Sequence, residues 1–281
     1  MLSGMKLSII TINYNNRVGL QRTIDSVISQ TWTDYEWIII DGGSTDGSKE
    51  LIEQFHHYLS FWCSETDRGI FHAMNKGVGK AIGEYIIFMN SGDSFYDGNV
   101  LKKINSLHSD ADIISGQAIR TDNNEMHFKY NENLFMQLYL LSISHQGAFI
   151  RRSLLIKYPY DETLKTASDW KFWIQTIIWG QVKVERTDII VARYDMTGIS
   201  SACNNEDKDV VRKERNIVIN EFFPELLRKE LDKYASLCRS PYTVYSSYLC
   251  KNNHFLFALG WRLLKIFVSI DKLLCKILKS L

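Results

Sequence analysis

The first hundred residues alternate between apolar stretches of strand length and amphipathic stretches with a helical period, and this alternation constrains the fold more than any other feature of the sequence. Four stretches are apolar, β-branched and aromatic enough to be strands, namely 6–13, 35–40, 61–65 and 84–90. Between them, apolar side chains recur at near-helical spacing from Val18 to Ile28 and from Leu51 to Leu59. Strand, helix and strand in this order predict right-handed crossovers and a largely parallel α/β sheet.

Every predicted strand ends in polar side chains that could bind a ligand. The strand YEWIII runs directly into DGGSTDGS at 41–48, and the other three exits carry Asn13, Asp67 and Asn90. Any one exit could be an ordinary turn, because Asn, Asp, Gly and Ser are the usual turn formers. The carboxyl ends of parallel strands meet at one edge, however, so four polar exits converge on one crevice. Glycines allow close approach of the backbone and Asp41 can accept hydrogen bonds from a base or ribose, so the sequence predicts a nucleotide site.

The composition disfavours several classes of protein. The 33 basic and 32 acidic residues leave a formal net charge of +1, which provides no general attraction to nucleic acid. A chain of 281 residues with 45% hydrophobic content can form one large core or two modest ones. The five cysteines are scattered without a C-x-x-C pair, so neither a disulfide framework nor a zinc site is expected. Reduced cysteines and a start without a signal-peptide cleavage pattern predict a cytoplasmic protein.

Two glycine patterns bear on the nucleotide chemistry. A dinucleotide-binding fold would place G-x-G-x-x-G directly after the first strand, where this chain reads NYNNRVGL with one glycine, so a dehydrogenase is disfavoured. The segment GVGKAIG at 77–83 contains a Gly-Lys pair, but it precedes a strand, whereas a phosphate-binding loop follows one. We therefore predict that 77–83 is the end of a helix and a turn.

Five segments, taken in order, carry a resemblance to a known family: SIITINYN, IIIDGGSTDGS, SETDRGIFHAMNKGVGKAIGEYIIFMNSGD, SHQGAFIRRSLL and ASDWKFWI. They resemble the family 2 glycosyltransferases, with a close match to the bacterial branch that builds O-antigen, colanic acid and capsule. The resemblance covers roughly residues 6 to 200, and the ordered series is far more specific than any one motif. It implies a GT-A fold, with a Rossmann-like, mostly parallel central sheet flanked by helices, a nucleotide-sugar donor, a divalent metal and inversion at the anomeric carbon.

The resemblance also implies which residues bind the donor. The nucleoside would contact side chains of the first strand and of the first two exits, while the third exit and the helix after it would approach the base and diphosphate. The implied donor-binding residues are Thr11, Asn13, Asn15, Asp41, Asp67, Arg68, Asn75, Asn90 and Asp93.

The metal site departs from the family pattern. The family carries several aspartates after the fourth strand, whereas this chain reads NSGD, so Asn90 and Gly92 replace carboxylates and Asp93 remains. Mg²⁺ and Mn²⁺ take hard oxygen ligands and complete their shells with diphosphate oxygens and water, so one carboxylate can suffice. The implied cofactor is Mn²⁺ or Mg²⁺ on Asp93, where it neutralises the charge that grows on the departing nucleoside diphosphate.

Asp169 is the candidate catalytic base, because inversion needs a group that takes the proton from the attacking sugar hydroxyl. It lies in TASDWKFWIQTIIWG, where Ser168 or Thr166 is predicted to cap a helix. The family places its catalytic carboxylate in the matching motif. The alternative is an aspartate that only complements the helix dipole.

Acceptor binding is assigned to His145, Gln146 and Trp170. His145 and Gln146 match a family segment near the acceptor, and the alternative for both is a strand-end turn. Trp170 and Trp173 could stack on apolar sugar faces, but aromatic residues three apart on a helix are more often core. Trp173 is therefore predicted to be core, and Trp170 stays open between the two roles.

The composition changes towards the C-terminus, and this change sets the predicted domains. They are a catalytic domain at 1–203, with a nucleotide-sugar-binding half at 5–95 and an acceptor-binding half at 96–203, and a helical extension at 204–281. Residues 197–201, TGISS, resemble the family's flexible loop over the donor. Residues 204–234 are predicted to form a charged helix broken at Pro224.

The last stretch, 253–281, has one apolar face and an opposite face of Arg and Lys, and its charges interrupt it too often for a membrane span. It suits a helix in the membrane interface, with a terminal helix docked on protein as the alternative. Bacterial polysaccharide acceptors are carried on lipid diphosphates, which favours the membrane. We therefore expect a peripheral protein on the cytoplasmic face of the cell membrane.

Together these observations predict an inverting, metal-dependent transferase that moves a hexose or N-acetylhexosamine from a UDP-sugar to a lipid-linked saccharide in bacterial surface polysaccharide synthesis. One alternative is a sugar nucleotidyltransferase, which would carry an early Gly-rich loop with a basic residue that this chain lacks. The other is a catalytically silent nucleotide-sugar-binding subunit, which the depleted acidic motif suggests. The presence of both Asp93 and Asp169 argues against the silent subunit.

Overall fold

The computed structural model describes residues 6–123, 125, 133–196 and 205–239 of the chain. Within them, the predicted alternation of strands and helices is confirmed. The first elements are β1 (Leu7–Asn13), α1 (Arg17–Ile28), β2 (Tyr35–Asp41), α2 (Ser48–Gln54), β3 (Phe61–Ser64), α3 (Ile70–Lys80) and β4 (Tyr85–Phe88). The four strands lie within the predicted ranges, except that β2 continues to Asp41.

The second half of the chain is less regular. Its elements are β5 (Ser94–Phe95), α4 (Val100–Asn105), β6 (Ile113–Arg120), α5 (Leu134–Leu140), β7 (Ala148–Arg151), α6 (Arg152–Lys157), α7 (Ser168–Trp173), β8 (Val184–Tyr194), α8 (Asn205–Phe222) and α9 (Glu225–Arg239). A 3-10 turn at His145–Gly147 precedes β7, and α7 continues into a π-helical segment at Ile174–Trp179.

The eight strands of the described residues form one sheet in the order β3-β2-β1-β4-β7-β6-β8-β5. β1 pairs in parallel with β2 and β4, and β2 pairs in parallel with β3, as predicted. β7 then runs antiparallel to both β4 and β6. β8 is parallel to β6, and β5 is antiparallel to β8. The sheet is therefore mixed, and its parallel half is the half predicted to bind the nucleotide.

The register of the parallel strands brings their polar ends to one level. Asn13 ends β1 and lies opposite Asp41, which ends β2, and Asp41 in turn lies opposite Ser64, which ends β3. Because parallel strands in register end together, three neighbouring exits meet at one edge of the sheet.

Both faces of β1, of β4 and of most of β2 are buried, which explains why their sequences are apolar almost throughout. Ile9 packs in one core cluster with side chains of α1, and Ile10 packs in a second cluster with side chains of α3. At Gly77 a Cβ would lie 2.6 Å from Cγ2 of Ile10, so glycine is needed where α3 packs against β1. α3 ends at Lys80, which confirms that the segment 77–83 is a helix end and a turn.

The C-terminal helices belong to different compact units. α8 ends at Phe222 and α9 begins at Glu225, which confirms the predicted break at Pro224. The chain divides into compact units after Phe222, so α8 belongs to the unit that contains the sheet, whereas the sequence assigned it to the extension. The predicted loop at 197–201 and the predicted interface helix at 253–281 lie outside the described residues. No helix in the described part of the chain is both long and apolar enough to cross a membrane.

Candidate functional site

Asp41 organises the edge at which β1, β2 and β3 end. Its Oδ1 accepts hydrogen bonds from Nδ2 of Asn13 at 2.7 Å and from the Ser44 hydroxyl at 2.6 Å. Its Oδ2 accepts from the Ser64 hydroxyl at 2.6 Å and from the Ser44 amide at 2.9 Å. Burial raises the pKa of Asp41, but these hydrogen bonds together outweigh burial, and the pKa is lowered from its ordinary value. Asp41 is therefore a carboxylate at neutral pH.

Asn13 keeps one polar atom for a ligand. Its amide nitrogen donates to Asp41, while its Oδ1 is buried and has no hydrogen-bond partner among the described residues. A buried acceptor without a donor is unfavourable unless a ligand or water supplies one. The predicted pair of Asn13 and Asp41 is thus brought together, with an acceptor suited to an N–H of a base or a hydroxyl of ribose.

Asn15 holds the loop after β2 against the end of β1. Its backbone amide donates to the Ser44 hydroxyl at 2.8 Å, and its side-chain oxygen accepts from the Thr45 amide at 2.8 Å. Asn15 has φ of +47°, a conformation that asparagine tolerates better than most residues. Its side chain therefore shapes the site through the loop.

Thr11 does not lie with this group, and its predicted contact with the nucleoside is corrected. The side chain is fully buried in the sheet, two residues before the end of β1. Its hydroxyl oxygen accepts a hydrogen bond from Nε1 of Trp37 at 3.0 Å. The hydroxyl satisfies a buried indole of the core, which is a structural role.

Asp67 is the centre of a second cluster, after β3. Its Oδ1 lies 2.9 Å from Nδ1 of His72 and 2.5 Å from Nζ of Lys76, which also pairs with Glu65 at 2.9 Å. Its Oδ2 is buried and has no partner among the described residues. This second oxygen remains an acceptor for a hydroxyl or amide of a ligand.

Arg68 and Asn75 connect this cluster to the segment that precedes α7. Arg68 pairs with Glu162 at 2.5 Å. The side chain of Asn75 donates to the Tyr160 carbonyl at 2.8 Å and accepts from the Tyr160 amide at 3.0 Å. Both predicted side chains therefore make contacts within the protein, Arg68 with Glu162 and Asn75 with the backbone of Tyr160.

The pKa of Asp93 is shifted in the opposite direction from that of Asp41. It is 4% exposed, and burial raises the pKa of its carboxyl to about 7, although the Asp195 amide, His145 and Gln146 act in the other direction. The amide of Asp195 donates to its Oδ1 at 2.8 Å, and the Gln146 side chain also hydrogen-bonds to it. A buried carboxyl with few donors gains most from a cation nearby.

Asp195 follows β8 and is a site residue that the sequence analysis missed. Gly92 has φ of +104°, and a Cβ there would lie 2.7 Å from Oδ2 of Asp195. The Asp195 carboxylate thus lies against the position where the acidic motif lacks a side chain. Arg22 pairs with this carboxylate at 3.0 Å and donates to the Gly92 carbonyl at 3.1 Å. The available signal was a carboxylate directly after the last strand of the sheet.

Asp93 and Asp195 fit a hard divalent cation. Among the described residues, no group of three or more His, Cys, Asp and Glu side chains could hold a metal ion. Mg²⁺ is usually bound by one or two carboxylates together with substrate phosphates, so a complete protein cage is not required. The charges of Asp93 and Asp195 act on each other, which indicates two neighbouring carboxylates at this edge.

Asp169 lies in the first turn of α7, as predicted, and it contacts His145. Its Oδ2 is 3.1 Å from Nδ1 of His145, and Nε2 of His145 lies 3.4 Å from Nδ2 of Asn90. His145 and Gln146 belong to the turn that precedes β7, which was the alternative considered for them. The same turn brings both residues to this candidate site. The predicted residues Asn90, Asp93, His145, Gln146 and Asp169 are therefore brought together.

The predicted cap of α7 is wrong. The N-cap residue is Ala167, and no side chain at this position caps the helix. Ser168 accepts a hydrogen bond from the Asp161 amide at 2.6 Å, and the Thr166 hydroxyl donates to Glu214 at 2.8 Å. Both hydroxyls are used by residues outside α7.

Trp170 is core, so its assignment to the acceptor is corrected. It is 3% exposed, and its indole nitrogen donates to the Leu138 carbonyl at 2.6 Å. The guanidinium of Arg215 covers its ring at 4.0 Å from the centroid. Trp173 is fully buried, which confirms its prediction. The face of Trp170 that a sugar would need is occupied by Arg215.

Comparison with known proteins decides the family. The profile of Glycosyl transferase family 2 matches residues 8–166, which is more than half of the chain. The chain belongs to glycosyl transferase family 2. A PGL/p-HBAD biosynthesis glycosyltransferase of Mycobacterium bovis is 30% identical over 200 residues, which cover 68% of this chain and 77% of the relative.

Solved structures of similar fold include two complexes with nucleotide sugars. Staphylococcus aureus TarS 1–349 in complex with UDP-GlcNAc has a TM-score of 0.61 at 19% identity, over 79% of this family 2 chain and 68% of TarS 1–349. The mannosyltransferase PcManGT of Pyrobaculum calidifontis, in complex with GDP-Man and Mn²⁺, has a TM-score of 0.55 at 14% identity, over 87% and 84%. These likenesses confirm the GT-A fold.

Proposed function

We propose that this family 2 glycosyltransferase is an inverting, metal-dependent enzyme that transfers a hexose or N-acetylhexosamine from a UDP-sugar. The observation that carries the proposal is the contact of Asp169 with His145, beside Asn90 and the buried Asp93. A carboxylate at the start of a helix, oriented by a histidine and next to a buried acidic group, is the arrangement that a transferase with a general base requires.

The donor's nucleoside binds at the ends of β1 and β2. Asn13 offers a buried acceptor without a partner, and the ionised Asp41 fixes its orientation. Asp67 offers a second such acceptor towards the sugar or diphosphate. UDP is chosen because TarS, which binds UDP-GlcNAc, has a higher TM-score than PcManGT, which binds GDP-Man (0.61 against 0.55).

Asp93 and Asp195 would hold Mn²⁺ or Mg²⁺ together with the diphosphate of the donor. A metal bound there would neutralise the charge that grows on the departing nucleoside diphosphate. Asp195 compensates for the glycine at position 92 of the acidic motif, because its carboxylate reaches that position from β8. Arg22 pairs with Asp195 and fixes the side chain in place.

Asp169 takes the proton from the acceptor hydroxyl. As that oxygen forms its bond to the anomeric carbon from one face, the bond from that carbon to the diphosphate oxygen breaks on the other, and UDP leaves with the electron pair. His145 donates through Nδ1 to Asp169 when its Nε2 accepts from Asn90. Asn90, which replaces a family aspartate, thus selects the histidine tautomer that orients the base.

The acceptor is proposed to be a lipid-linked saccharide of bacterial surface polysaccharide synthesis, such as an O-antigen or capsule precursor. The support is the basic amphipathic pattern of residues 253–281, which would place the enzyme at the cytoplasmic membrane surface. Deleting 253–281 should move the protein from the membrane fraction to the soluble fraction. Unchanged recovery with membranes would refute the anchor.

The reaction is tested by a transfer assay on the full chain. A thermal-shift screen of UDP-, GDP- and dTDP-sugars with Mn²⁺ identifies the donor, because a ligand of the native state raises Tm. Asp169→Asn should then lower the transfer rate by roughly 10²–10⁴-fold and leave the donor-induced shift in Tm unchanged. The exposed Asp34→Asn, an identical change far from α7 in the chain, should keep the wild-type rate. Substantial turnover by Asp169→Asn would remove this residue from the mechanism.

The same assay separates the alternatives. Release of pyrophosphate would identify a sugar nucleotidyltransferase. Donor binding with neither transfer nor metal-stimulated hydrolysis would identify a silent binding subunit.

A further inference from the structure

Glu214 of α8 makes four hydrogen bonds to the segment directly before α7. Its Oε1 accepts from the Lys165 amide at 2.7 Å. Its Oε2 accepts from the Thr166 amide at 2.8 Å, the Thr166 hydroxyl at 2.8 Å and the Ala167 amide at 3.1 Å. Glu214 is 8% exposed, so the carboxylate is removed from water and is solvated instead by consecutive backbone amides.

This contact holds the backbone that leads into α7. Its amide donors belong to Lys165, Thr166 and the N-cap residue Ala167, and no side chain at Ala167 caps the helix. Hydrogen bonds to a charged acceptor are roughly twice as strong as neutral ones, and a negative charge at a helix start also complements the helix dipole. Glu214 therefore fixes the backbone at Ala167, two residues before Asp169.

Two further contacts from α8 reach the residues that directly follow Asp169. Arg215 stacks on the ring of Trp170, and its guanidinium donates to the Leu141 carbonyl at 3.1 Å. Glu221 pairs with Lys171 at 2.7 Å. Contacts before and after Asp169 restrict both the position and the rotation of α7. In this arrangement Asp169 accepts a hydrogen bond from the Trp170 amide at 2.7 Å and contacts Nδ1 of His145 at 3.1 Å.

We propose that Glu214 is a positioning residue for the catalytic base, and that α8 contributes to catalysis by holding the start of α7 in place. This inference rests on the proposed role of Asp169. Glu214 lies outside residues 8–166, which the family profile matches, and in a segment that the sequence assigned to the extension. A displacement of about 1 Å in a reacting group can lower a rate by roughly 10²-fold, so hydrogen bonds that fix the backbone beside the base can have a large effect on the rate.

The test replaces the carboxylate and keeps its volume. In Glu214→Gln the amide group retains one acceptor oxygen and turns an NH₂ towards backbone amides, which leaves buried donors unpaired. We expect kcat to fall by roughly 10- to 100-fold, while the donor dissociation constant changes by less than about twofold. Asp209→Asn is the matched control, because it also replaces a carboxylate of α8 by an amide, at an exposed pair with Arg212, and it should keep kcat.

Two further measurements separate positioning from loss of folding. Amide hydrogen exchange should accelerate at 165–170 in Glu214→Gln and not in Asp209→Asn, and this readout does not depend on activity. If Glu214→Gln does not fold, Thr166→Val removes one of the four hydrogen bonds and should give the same pattern at smaller size.

Unchanged exchange at 165–170 in the variant that is measured would overturn the inference, as would a wild-type kcat. If Asp169→Asn is inactive and Glu214→Gln is not, the inference fails alone. If Asp169→Asn is fully active, the proposed function fails, whatever the exchange shows.

Discussion

Asp41 and Asp93 are two buried carboxyl groups at the same sheet, and their pKa values are shifted in opposite directions. Asp41 is surrounded by donors from β1, β2 and β3, which outweigh burial and lower its pKa. Asp93 has fewer donors, and burial raises its pKa to about 7. The Asp41 carboxylate is thus satisfied within the protein, whereas the Asp93 carboxyl would gain from a partner of positive charge. This difference supports a structural role for Asp41 and the proposed metal-binding role for Asp93.

Within this comparison, the largest expected effect is the loss of transfer activity when Asp93 is replaced. Asp93→Asn should lower transfer by roughly 10²–10³-fold, because the proposed metal that stabilises the leaving group would lose its buried ligand. Mn²⁺ should raise the Tm of the wild type and of Asp41→Asn, but not that of Asp93→Asn. A metal-dependent shift in Asp93→Asn equal to that of the wild type would contradict the assignment.

The next test uses the pH dependence of stability without metal. The pKa of Asp93 is raised in the folded protein from 3.8 to about 7, so its contribution is present below 3.8 and is lost as pH rises through 7. From pH 5 to pH 8, the free energy of unfolding of the wild type relative to Asp93→Asn should fall by about 2–3 kcal/mol, at about 1.4 kcal/mol per unit.

Asp41 is the matched comparison in the same urea-unfolding experiment. Its pKa is lowered, so its contribution is present above 3.8 and is lost as pH falls through the lower folded value. The wild type relative to Asp41→Asn should therefore show no change between pH 5 and pH 8. Parallel pH profiles for the two variants would remove the distinction between the two carboxyl groups.

The smallest expected effect concerns Asp195. Its side chain is 14% exposed and paired with Arg22, so it is a weaker ligand than Asp93. Asp195→Asn should weaken the affinity for Mn²⁺ by roughly tenfold or less, as measured by titration of the Tm shift. Asp188→Asn, an exposed change within β8, should leave the affinity unchanged. Equal effects of the two substitutions would exclude Asp195 from the metal site.

The parallel half of the site could be predicted from the sequence to a large extent. The positions of Asn13 and Asp41 followed from strand ends, because apolar runs and turn-forming residues are local signals. Asp169 at a helix start was predicted in the same way, helped by the resemblance.

The residues that were missed or misassigned depend on distant contacts. Thr11 was placed at the ligand by the motif, but its role depends on Trp37 in the next strand. From the sequence, Trp170 could be a core residue or a stacking surface for a sugar, and the contact of Arg215 with its ring decides for the core. Asp195 lies 102 residues from Asp93, and Glu214 lies 47 residues from Ala167. Neither separation leaves a periodic signal in the sequence.

By itself, the sequence determined the order of strands and helices, the polar exits and the residue types available to bind a nucleotide. Only the tertiary structure decided which of those polar groups are already satisfied, as at Asp41, and which keep an unpaired or poorly stabilised atom, as at Asn13 and Asp93. The reason is physical: a turn or a period is set by neighbours along the chain, whereas desolvation and hydrogen bonding are set by every group that folding brings near.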